Sequence, residues 1–245
     1  MADLGPSSWG VLDRAEPFSD CYGYDRGTPV DRRHIDAFLA ARAHLIRQPI
    51  LEVGENLYAR RYAGDSAEVD VVDIDPDNED ATLLADLGEP GSLPDGRYGC
   101  VLLVQTLQYV RDPRAALLNV RRSLAPSGTL LVTVPGISRT DPVDDALMAD
   151  RWRFTTAGLR DLLADAFGPE SVRCRGYGGL RSATAFLYGL AAEETGPLDD
   201  APADDSAASD GVADDPGAEF PVVVCGMAQR SAAWPRGRSA PGRTG

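Results

Sequence analysis

Two short apolar segments that end in glycine or acidic residues limit the folds open to this chain more than any other feature. Residues 50 to 54 read Ile-Leu-Glu-Val-Gly, and residues 71 to 76 read Val-Val-Asp-Ile-Asp-Pro. A glycine turn after one apolar run and an acid after the next, about twenty residues on, is typical of neighbouring strands in a parallel α/β sheet. Since the carboxyl ends of such strands meet at one edge, Gly54 and Asp73 are predicted to lie together at a site for an adenosine-type ligand.

The alternation of apolar strands with amphipathic helices predicts the rest of the architecture. The expected fold is α/β, with one doubly wound, mostly parallel, Rossmann-like sheet. Strands are predicted at 50–53, 69–74, 81–84, 99–104, 129–134, 172–174 and 220–225. Helices are predicted from 28 or 31 to 47, at 57–63, after Asp112-Pro113, after Thr155 or Thr156, and at 181–194.

Composition divides the chain into five parts. Residues 1–27 are predicted to be an irregular lead-in, and 28–194 the α/β domain. The segment 195–219 is rich in Asp, Ala, Pro and Gly, so we expect a disordered acidic insert. The apolar stretch within 220–230 is expected to return to the sheet as an edge or near-edge strand. Residues 231–245 are expected to form a disordered basic tail.

Charge and cysteine content exclude several classes of function. The net charge of −14 arises largely from ten acids between 182 and 229, where no basic residue occurs. The remainder carries no basic stripe, which argues against a nucleic-acid partner. Four scattered cysteines and two histidines predict no metal site and a reduced, cytoplasmic protein. No apolar run is long enough for a membrane span, and no signal peptide is evident at the N-terminus.

Five segments between residues 50 and 135, in order, resemble class I S-adenosylmethionine-dependent methyltransferases. They are Glu52-Val53-Gly54, Asp73, Ala85-Asp86-Leu87, the block 98–113 with Gln105 and Tyr109, and the turn 124–130. The resemblance implies the methyltransferase fold and S-adenosyl-L-methionine as the cofactor. It implies that these residues bind that cofactor: Glu52, Gly54, Glu55, Asp73, Asp86, Leu87 and Gln105. Asp75 remains the competitor of Asp73 as the ribose-binding acid.

The chain departs from the pattern of this class at two places. It keeps only the first glycine of Gly-x-Gly-x-Gly, because Glu55 to Tyr58 follow Gly54. A nicotinamide dinucleotide needs the later glycines at its pyrophosphate, so the loss argues more against an oxidoreductase than against a methyltransferase. Gly99 also stands where the class usually has Asp.

Two further segments resemble a bacterial methyltransferase subgroup that is associated with glycosyltransferases and with natural-product or polysaccharide biosynthesis. They are residues 26–32, before the first helix, and residues 152–155, after the fifth strand. The resemblance implies an N-terminal helical lid and an acceptor site that includes Arg26, Arg151, Trp152 and Arg153. The alternatives are that both arginines of 151–153 pair with nearby acids and that Trp152 packs against the lid or the core.

A hydroxyl acceptor usually needs a base whose pKa is near neutral, and His34 fits that requirement best of the two histidines. Tyr109 is a second catalytic candidate, since it follows the fourth strand. A structural role for His34 in the first helix is the alternative.

The predicted function is methyl transfer to an oxygen or nitrogen of a small molecule, such as a sugar or a natural-product scaffold. The predicted partner is that small-molecule substrate, with no nucleic acid, no membrane and no metal. The alternative is a binding or scaffold protein of the same fold that lacks transferase activity.

Overall fold

The computed structural model describes residues 13–141, 149–196 and 219–231. These residues form one seven-stranded sheet with helices on both faces. The strands are β1 (Ile50–Val53), β2 (Val69–Asp73), β3 (Leu83–Leu84), β4 (Tyr98–Val104), β5 (Leu124–Pro135), β6 (Val172–Gly178) and β7 (Pro221–Gln229). The helices are α1 (Val30–Ala41), α2 (Leu57–Ala63), α3 (Pro113–Ser123), α4 (Thr156–Phe167) and α5 (Leu180–Leu187).

The strand order is β3-β2-β1-β4-β5-β7-β6, and the pairs among β1 to β5 are parallel. Strand β7 is antiparallel to both of its neighbours, β5 and β6. The predicted doubly wound, mostly parallel sheet is therefore confirmed. The chain order reverses between β1 and β4, where an open α/β sheet has its ligand crevice.

Apolar side chains cover both faces of the sheet. Leu117 on α3 and Leu159 and Leu163 on α4 pack with Val101 on one face, and all four are fully buried. On the other face, α1 and α2 pack their own apolar residues against the sheet. The strands carry continuous apolar runs because both of their faces are buried.

Local capping and turn residues set several boundaries as predicted. The Asp112 carboxylate accepts a hydrogen bond from the Ala115 amide at the start of α3, and Thr155 caps α4 through Gly158. Such caps satisfy amide groups that have no partner in the first helical turn. Helix α1 ends earlier than predicted, at Ala41, and a 3-10 turn follows over Ala43–Leu45.

Strand β5 begins earlier than predicted, at Leu124, which pairs with Tyr98 on β4. Strand β6 extends beyond the predicted end to Gly178 because it pairs with β7 up to that residue. Residues 197–218, most of the predicted acidic insert, lie outside the described residues, as do 1–12 and 232–245. The predicted domain divisions therefore stay predictions at those segments. The predicted near-edge strand is present, since β7 is second from the edge.

The glycine at position 99 has a packing reason in this fold. A Cβ atom built on Gly99 would lie 2.6 Å from the Arg47 carbonyl oxygen and 2.9 Å from that of Gln48. Real Cβ atoms do not approach backbone this closely, so the segment before β1 excludes a side chain there. The departure from the family pattern thus follows from how this chain enters its first strand.

None of the helices in the described ranges is both long enough and apolar enough to cross a membrane. Within those same ranges, no cluster of three or more His, Cys, Asp or Glu side chains could hold a metal ion.

Candidate active site

Two cavities lie side by side at the carboxyl edge of the sheet. The first, which we call the strand-end crevice, has a volume of about 280 Å³. It is lined by Val53, Gly54, Val72, Asp73, Ile74, Ala85, Asp86, Leu87, Val104, Gln105, Thr106, Tyr109, Val110, Arg111 and Arg151. Because the ends of β1, β2 and β4 meet here, residues far apart in the chain form one site.

The turn after β1 depends on glycine for its backbone conformation. Gly54 has a φ of +78°, which side-chain-bearing residues rarely adopt. An added Cβ atom would meet only Asp73 Oδ2, at 3.9 Å. The glycine therefore keeps the floor of the crevice open while the chain turns toward α2.

The Asp73 side chain is fixed by its own loop. Its Oδ1 accepts hydrogen bonds from the amides of Ile74, at 2.7 Å, and Asp75, at 3.0 Å. Its Oδ2 accepts one from Asn78 Nδ2 at 2.6 Å. A carboxylate has about four acceptor positions, so one remains, on Oδ2. Asp75, the competing acid, is exposed and does not line the crevice.

Asn78 links the two motifs that the sequence singled out. Its Nδ2 donates to the Gly54 carbonyl oxygen at 2.7 Å as well as to Asp73. One side-chain amide thus holds the glycine turn of β1 against the acid of β2. Asn78 was not predicted as a site residue, and its position in the loop after Asp73 is the one sequence signal that pointed to it.

The Glu52 side chain supports α2 and does not line the crevice, which corrects its expected contact with a cofactor. Its two carboxylate oxygens accept hydrogen bonds from the amides of Tyr58, at 3.0 Å, and Ala59, at 2.7 Å. Its exposed fraction is 1%. Burial raises the pKa of Glu52 to about 7, against the lowering effect of these two amide donors. Glu55 is exposed and also lies outside the crevice.

The second cavity, which we call the polar cavity, has a volume of about 230 Å³. It is lined by Tyr22, Tyr24, Asp31, Arg32, Gln105, Gln108, Tyr109, Pro135, Ser138, Arg139, Asp141, Asp150, Arg153, Phe186 and Val222. Gln105 and Tyr109 line both cavities. The loop after β4 is therefore the shared wall between them.

This shared wall has an unusual backbone conformation. Gln105 has a φ of +50°, one of three positive values among non-glycine residues in the described part of the chain. Its amide donates to the Thr133 carbonyl oxygen at 2.9 Å, which extends the β4–β5 ladder by one residue. Strained backbone of this kind is frequent at functional sites, where surrounding contacts over-determine it.

Tyr109 occupies the boundary of the two cavities as a neutral phenol. Burial, followed by the nearby Asp141 carboxylate, raises its pKa to about 12. Its hydroxyl donates to Asp141 Oδ2 at 3.4 Å. A phenol held neutral in this way is suited to donating a hydrogen bond rather than to accepting a proton.

The segment 149–153 closes over the loop after β4. Arg151 Nη1 donates to the carbonyl oxygens of Tyr109, at 2.6 Å, and Ala149, at 2.7 Å. Trp152 Nε1 donates to the Val110 carbonyl oxygen at 2.8 Å. Arg153 forms two bonds with Asp150, at 2.5 and 2.6 Å. Arg153 therefore forms the ion pair with a nearby acid that was the alternative to a role in acceptor binding.

Of the four residues predicted for the acceptor site, two line a cavity and two do not. Arg153 lines the polar cavity, and Arg151 lines the strand-end crevice. Trp152 lines neither, and 42% of its surface is exposed. Arg26 is also outside both cavities, because its guanidinium pairs with Glu194 beyond α5.

The structure corrects the expected placement of His34. The imidazole is buried, with 3% exposure, and lines neither cavity. Its ring centroid lies 6.4 Å from that of Tyr177 on β6. Residues 34, 35 and 38 share the face of α1 that packs on the sheet, so His34 takes the packing role that the sequence left open.

Several polar-cavity residues were not predicted, among them Tyr22, Tyr24, Asp31, Arg32, Arg139 and Asp150. The segments that carry them are separated in sequence and meet only in the fold. A signal was present for Asp31, because it shares the buried face of α1 with apolar residues, where an acid is unusual.

A family model for the methyltransferase domain matches residues 10–163, which is more than half of the chain. The chain belongs to this methyltransferase family. It is a methyltransferase, and S-adenosylmethionine is its cofactor. No curated protein sequence matches it significantly.

Solved structures agree with this methyltransferase fold. The [4+2]-cyclase SpnF has 17% sequence identity and a TM-score of 0.52, over 85% of this chain and 84% of its own. A possible histamine N-methyltransferase from Thermotoga maritima has 18% identity and a TM-score of 0.52, over 85% of this chain and 95% of its own. At these identities the similarity establishes the class I methyltransferase fold.

The strand-end crevice of this methyltransferase has the chemistry that a sulfonium nucleoside requires. Apolar side chains from β1, β2 and β4 can cover a flat base, and the remaining acceptor position on Asp73 Oδ2 suits a hydroxyl donor. A sulfonium nucleoside has no phosphate, so it does not need the pyrophosphate contact that the missing later glycines would permit. The residues therefore fit the cofactor.

Proposed function

We propose that this methyltransferase acts on an oxygen or nitrogen of a small polar molecule, with a sugar or a natural-product scaffold as the expected class. The observation that carries the proposal is the polar cavity, which adjoins the strand-end crevice through Gln105 and Tyr109. An acceptor there would reach a cofactor in the crevice without leaving the protein. Aromatic, amide, acidic and basic side chains surround the cavity, which suits a small ligand with several polar groups.

Five residues of the crevice would hold the cofactor: Gly54, Asp73, Asp86, Leu87 and Gln105. Asp73 would bind the ribose hydroxyls through Oδ2, and Leu87 would pack on the adenine. Asp86 already orders the rim, because its Oδ1 accepts a hydrogen bond from the Gly88 amide at 2.7 Å. When bound, S-adenosylmethionine supplies an electrophilic methyl group on a sulfonium.

The protein contributes alignment and the exclusion of water. Methyl transfer is an in-line displacement, so holding the two reactants at the right distance and angle supplies much of the rate. Tyr109 and Gln105 would orient the acceptor from the shared wall. Arg151 and Trp152 fix that wall through the backbone carbonyls of Tyr109 and Val110.

The experiment is a methyl-transfer assay with labelled S-adenosylmethionine and a panel of sugars, amino sugars, phenols and amines, preceded by calorimetry with S-adenosylhomocysteine. We expect micromolar-range binding and transfer to at least one class. Binding without transfer to any panel member would contradict the acceptor class and favour the scaffold alternative. Tyr109→Phe should lower turnover on the accepted substrate by roughly tenfold or more, since it removes an orienting hydroxyl.

A further inference from the structure

Several residues that line the polar cavity carry a buried polar atom that has no hydrogen-bond partner among the described residues. Six residues that line it each carry one such atom. The atoms are Asp31 Oδ1, Arg32 Nε, Gln105 Nε2, Gln108 Oε1, Arg139 Nε and Arg153 Nε. A buried unsatisfied polar group costs about 1–3 kcal/mol, so a cluster of them around one cavity indicates a site built for a polar ligand.

Asp31 differs from the other two carboxylates of this cavity. Asp150 is bound by Arg153 and also accepts the amide of Asp141, at 2.9 Å. Asp141 accepts the hydroxyl of Tyr109. Among the described residues, Asp31 Oδ1 is the buried carboxylate oxygen of the cavity that accepts no hydrogen bond.

The neighbouring arginine holds Asp31 in place without neutralising Oδ1. Arg32 Nε lies 3.7 Å from Asp31 Oδ2, beyond hydrogen-bond length, and Arg32 Nη1 donates to the Tyr58 hydroxyl at 3.3 Å. The Arg32 guanidinium is thus anchored between α1 and α2. Asp31 Oδ2 faces this charge, whereas Oδ1 is buried and accepts no hydrogen bond from the described residues.

We propose that Asp31 is a catalytic residue: its Oδ1 accepts the proton of the hydroxyl or amine that receives the methyl group. The proposal rests on the proposed function, because it requires an acceptor in the polar cavity. It replaces His34, which lies outside that cavity, and it restricts the acceptor to groups that release a proton.

The step balances without any further reactant. A lone pair on the acceptor oxygen or nitrogen forms the new bond to the methyl carbon. The carbon–sulfur bond of the sulfonium breaks, and its electron pair stays on sulfur as a neutral thioether. The acceptor's proton moves to Asp31 Oδ1, which leaves Asp31 neutral until the proton passes to solvent.

The environment of Asp31 suits this role. Burial raises its pKa above the usual range of an aspartate, against the lowering effects of the Arg32 guanidinium and nearby backbone amides. A base works best when its pKa approaches the working pH. Tyr24 also interacts electrostatically with Asp31. The other charged or titratable groups that line the same cavity are Tyr22, Tyr109, Arg139, Asp141, Asp150 and Arg153.

The test compares Asp31→Asn with Asp36→Asn, the same change on the same helix at a half-exposed carboxylate that pairs with Arg61. Methyl transfer, S-adenosylhomocysteine affinity and melting temperature from pH 4 to pH 8 are measured for both variants and the wild type. For Asp31→Asn we expect turnover to fall about a hundredfold or more and affinity to stay unchanged. Asp36→Asn should resemble the wild type in all three.

The melting curves need no acceptor. Since the pKa of Asp31 is raised in the folded state, the folded protein binds a proton more tightly, and stability falls as pH rises above the pKa of the unfolded chain. Asp31→Asn removes this loss, so it should melt at a higher temperature than the wild type at pH 8. The two should converge near pH 4.

Each outcome decides one question. Turnover of Asp31→Asn within threefold of the wild type, on any accepted substrate, overturns the proposal. A melting difference that does not change with pH also overturns it, because Asp31 would then be satisfied by the protein. A wild type that binds S-adenosylhomocysteine but methylates no panel member overturns the proposed function and the proton transfer that rests on it. The melting curves still decide separately whether the pKa of Asp31 is raised in the folded protein.

Discussion

The strand-end crevice and the polar cavity share a wall, but they differ in how far their polar groups are hydrogen-bonded within the protein. In the crevice, the loop itself satisfies Asp73 with two backbone amides and Asn78, and the Gly88 amide satisfies Asp86. In the polar cavity, six residues carry buried polar atoms that have no partner among the described residues. The difference teaches that local structure satisfies the polar groups of the crevice, whereas polar groups of the other cavity are left without partners by the described residues.

The largest expected effect comes from removing β7, which supports the polar cavity through Val222 and pairs with both β5 and β6. Truncation after Gly196 should abolish cooperative unfolding, because buried residues on both faces of the sheet lose their partners. Circular dichroism melting measures this. Replacing residues 198–217 with a short Gly-Ser linker is the matched control and should leave the melting temperature within a few degrees. A truncated protein that melts like the full chain would contradict the structural role of β7.

The next largest effect is expected at Glu52, which supports the crevice from beneath. Glu52→Ala leaves the amides of Tyr58 and Ala59 without their acceptor, and each buried unsatisfied amide costs about 1–3 kcal/mol. We expect the free energy of unfolding to fall by about 2–4 kcal/mol in urea titrations. Glu55→Ala, a change at the exposed acid directly after Gly54, should have little effect.

Glu52 also predicts a pH dependence with a defined sign. Its pKa is about 7 in the folded protein and near 4.5 in the unfolded chain, so the folded state holds the proton more tightly in between. The Glu52 contribution to stability should therefore be lost as pH rises from about 4.5 to 7. Urea midpoints of the wild type and Glu52→Gln across this range measure it. A difference between them that stays constant with pH would mean that Glu52 is ionised throughout.

A smaller effect is expected at Asp73, and it tests whether the crevice is the cofactor site. Asp73→Ala should weaken S-adenosylhomocysteine binding by roughly ten- to a hundredfold, since a hydrogen bond to a charged group contributes about 1.5–3 kcal/mol. Calorimetry measures this. Asp75→Ala should bind as the wild type does; the opposite ranking of the two variants would assign the ribose to Asp75.

The smallest effect is expected at Asn78. This residue tests whether the hydrogen bonds within the loop prepare the crevice for the cofactor. Asn78→Ala removes the link between the Gly54 carbonyl and Asp73 Oδ2. We expect a loss of about threefold to tenfold in S-adenosylhomocysteine affinity, from hydrogen bonds of about 1 kcal/mol net. Asp77→Ala, in the same loop, is the control. A tighter Asn78→Ala complex would mean that Asn78 competes with the ribose instead of holding Asp73 for it.

The sequence determined the sheet and the strand-end crevice because their signals are local. Apolar runs, caps and glycine turns depend on neighbouring residues in the sequence. The carboxyl ends of parallel strands meet at one edge of the sheet in every such fold. Gly54, Asp73, Asp86, Leu87 and Gln105, which belong to four of the five motifs, therefore line one crevice at this edge. The alternation of strands and helices determined the fold class in the same way.

Only the tertiary structure decided which buried acids and bases face which cavity. Glu52 lies near the end of β1 and Asp73 ends β2, yet Glu52 binds the amides of α2 and Asp73 lines the crevice. His34 and Asp31 lie on the same face of one helix, yet one packs against Tyr177 and the other lines the polar cavity. The helix or strand sets the direction of a side chain, but the tertiary fold decides which segment that side chain meets. Periodicity within one element carries no information about segments that are distant in sequence.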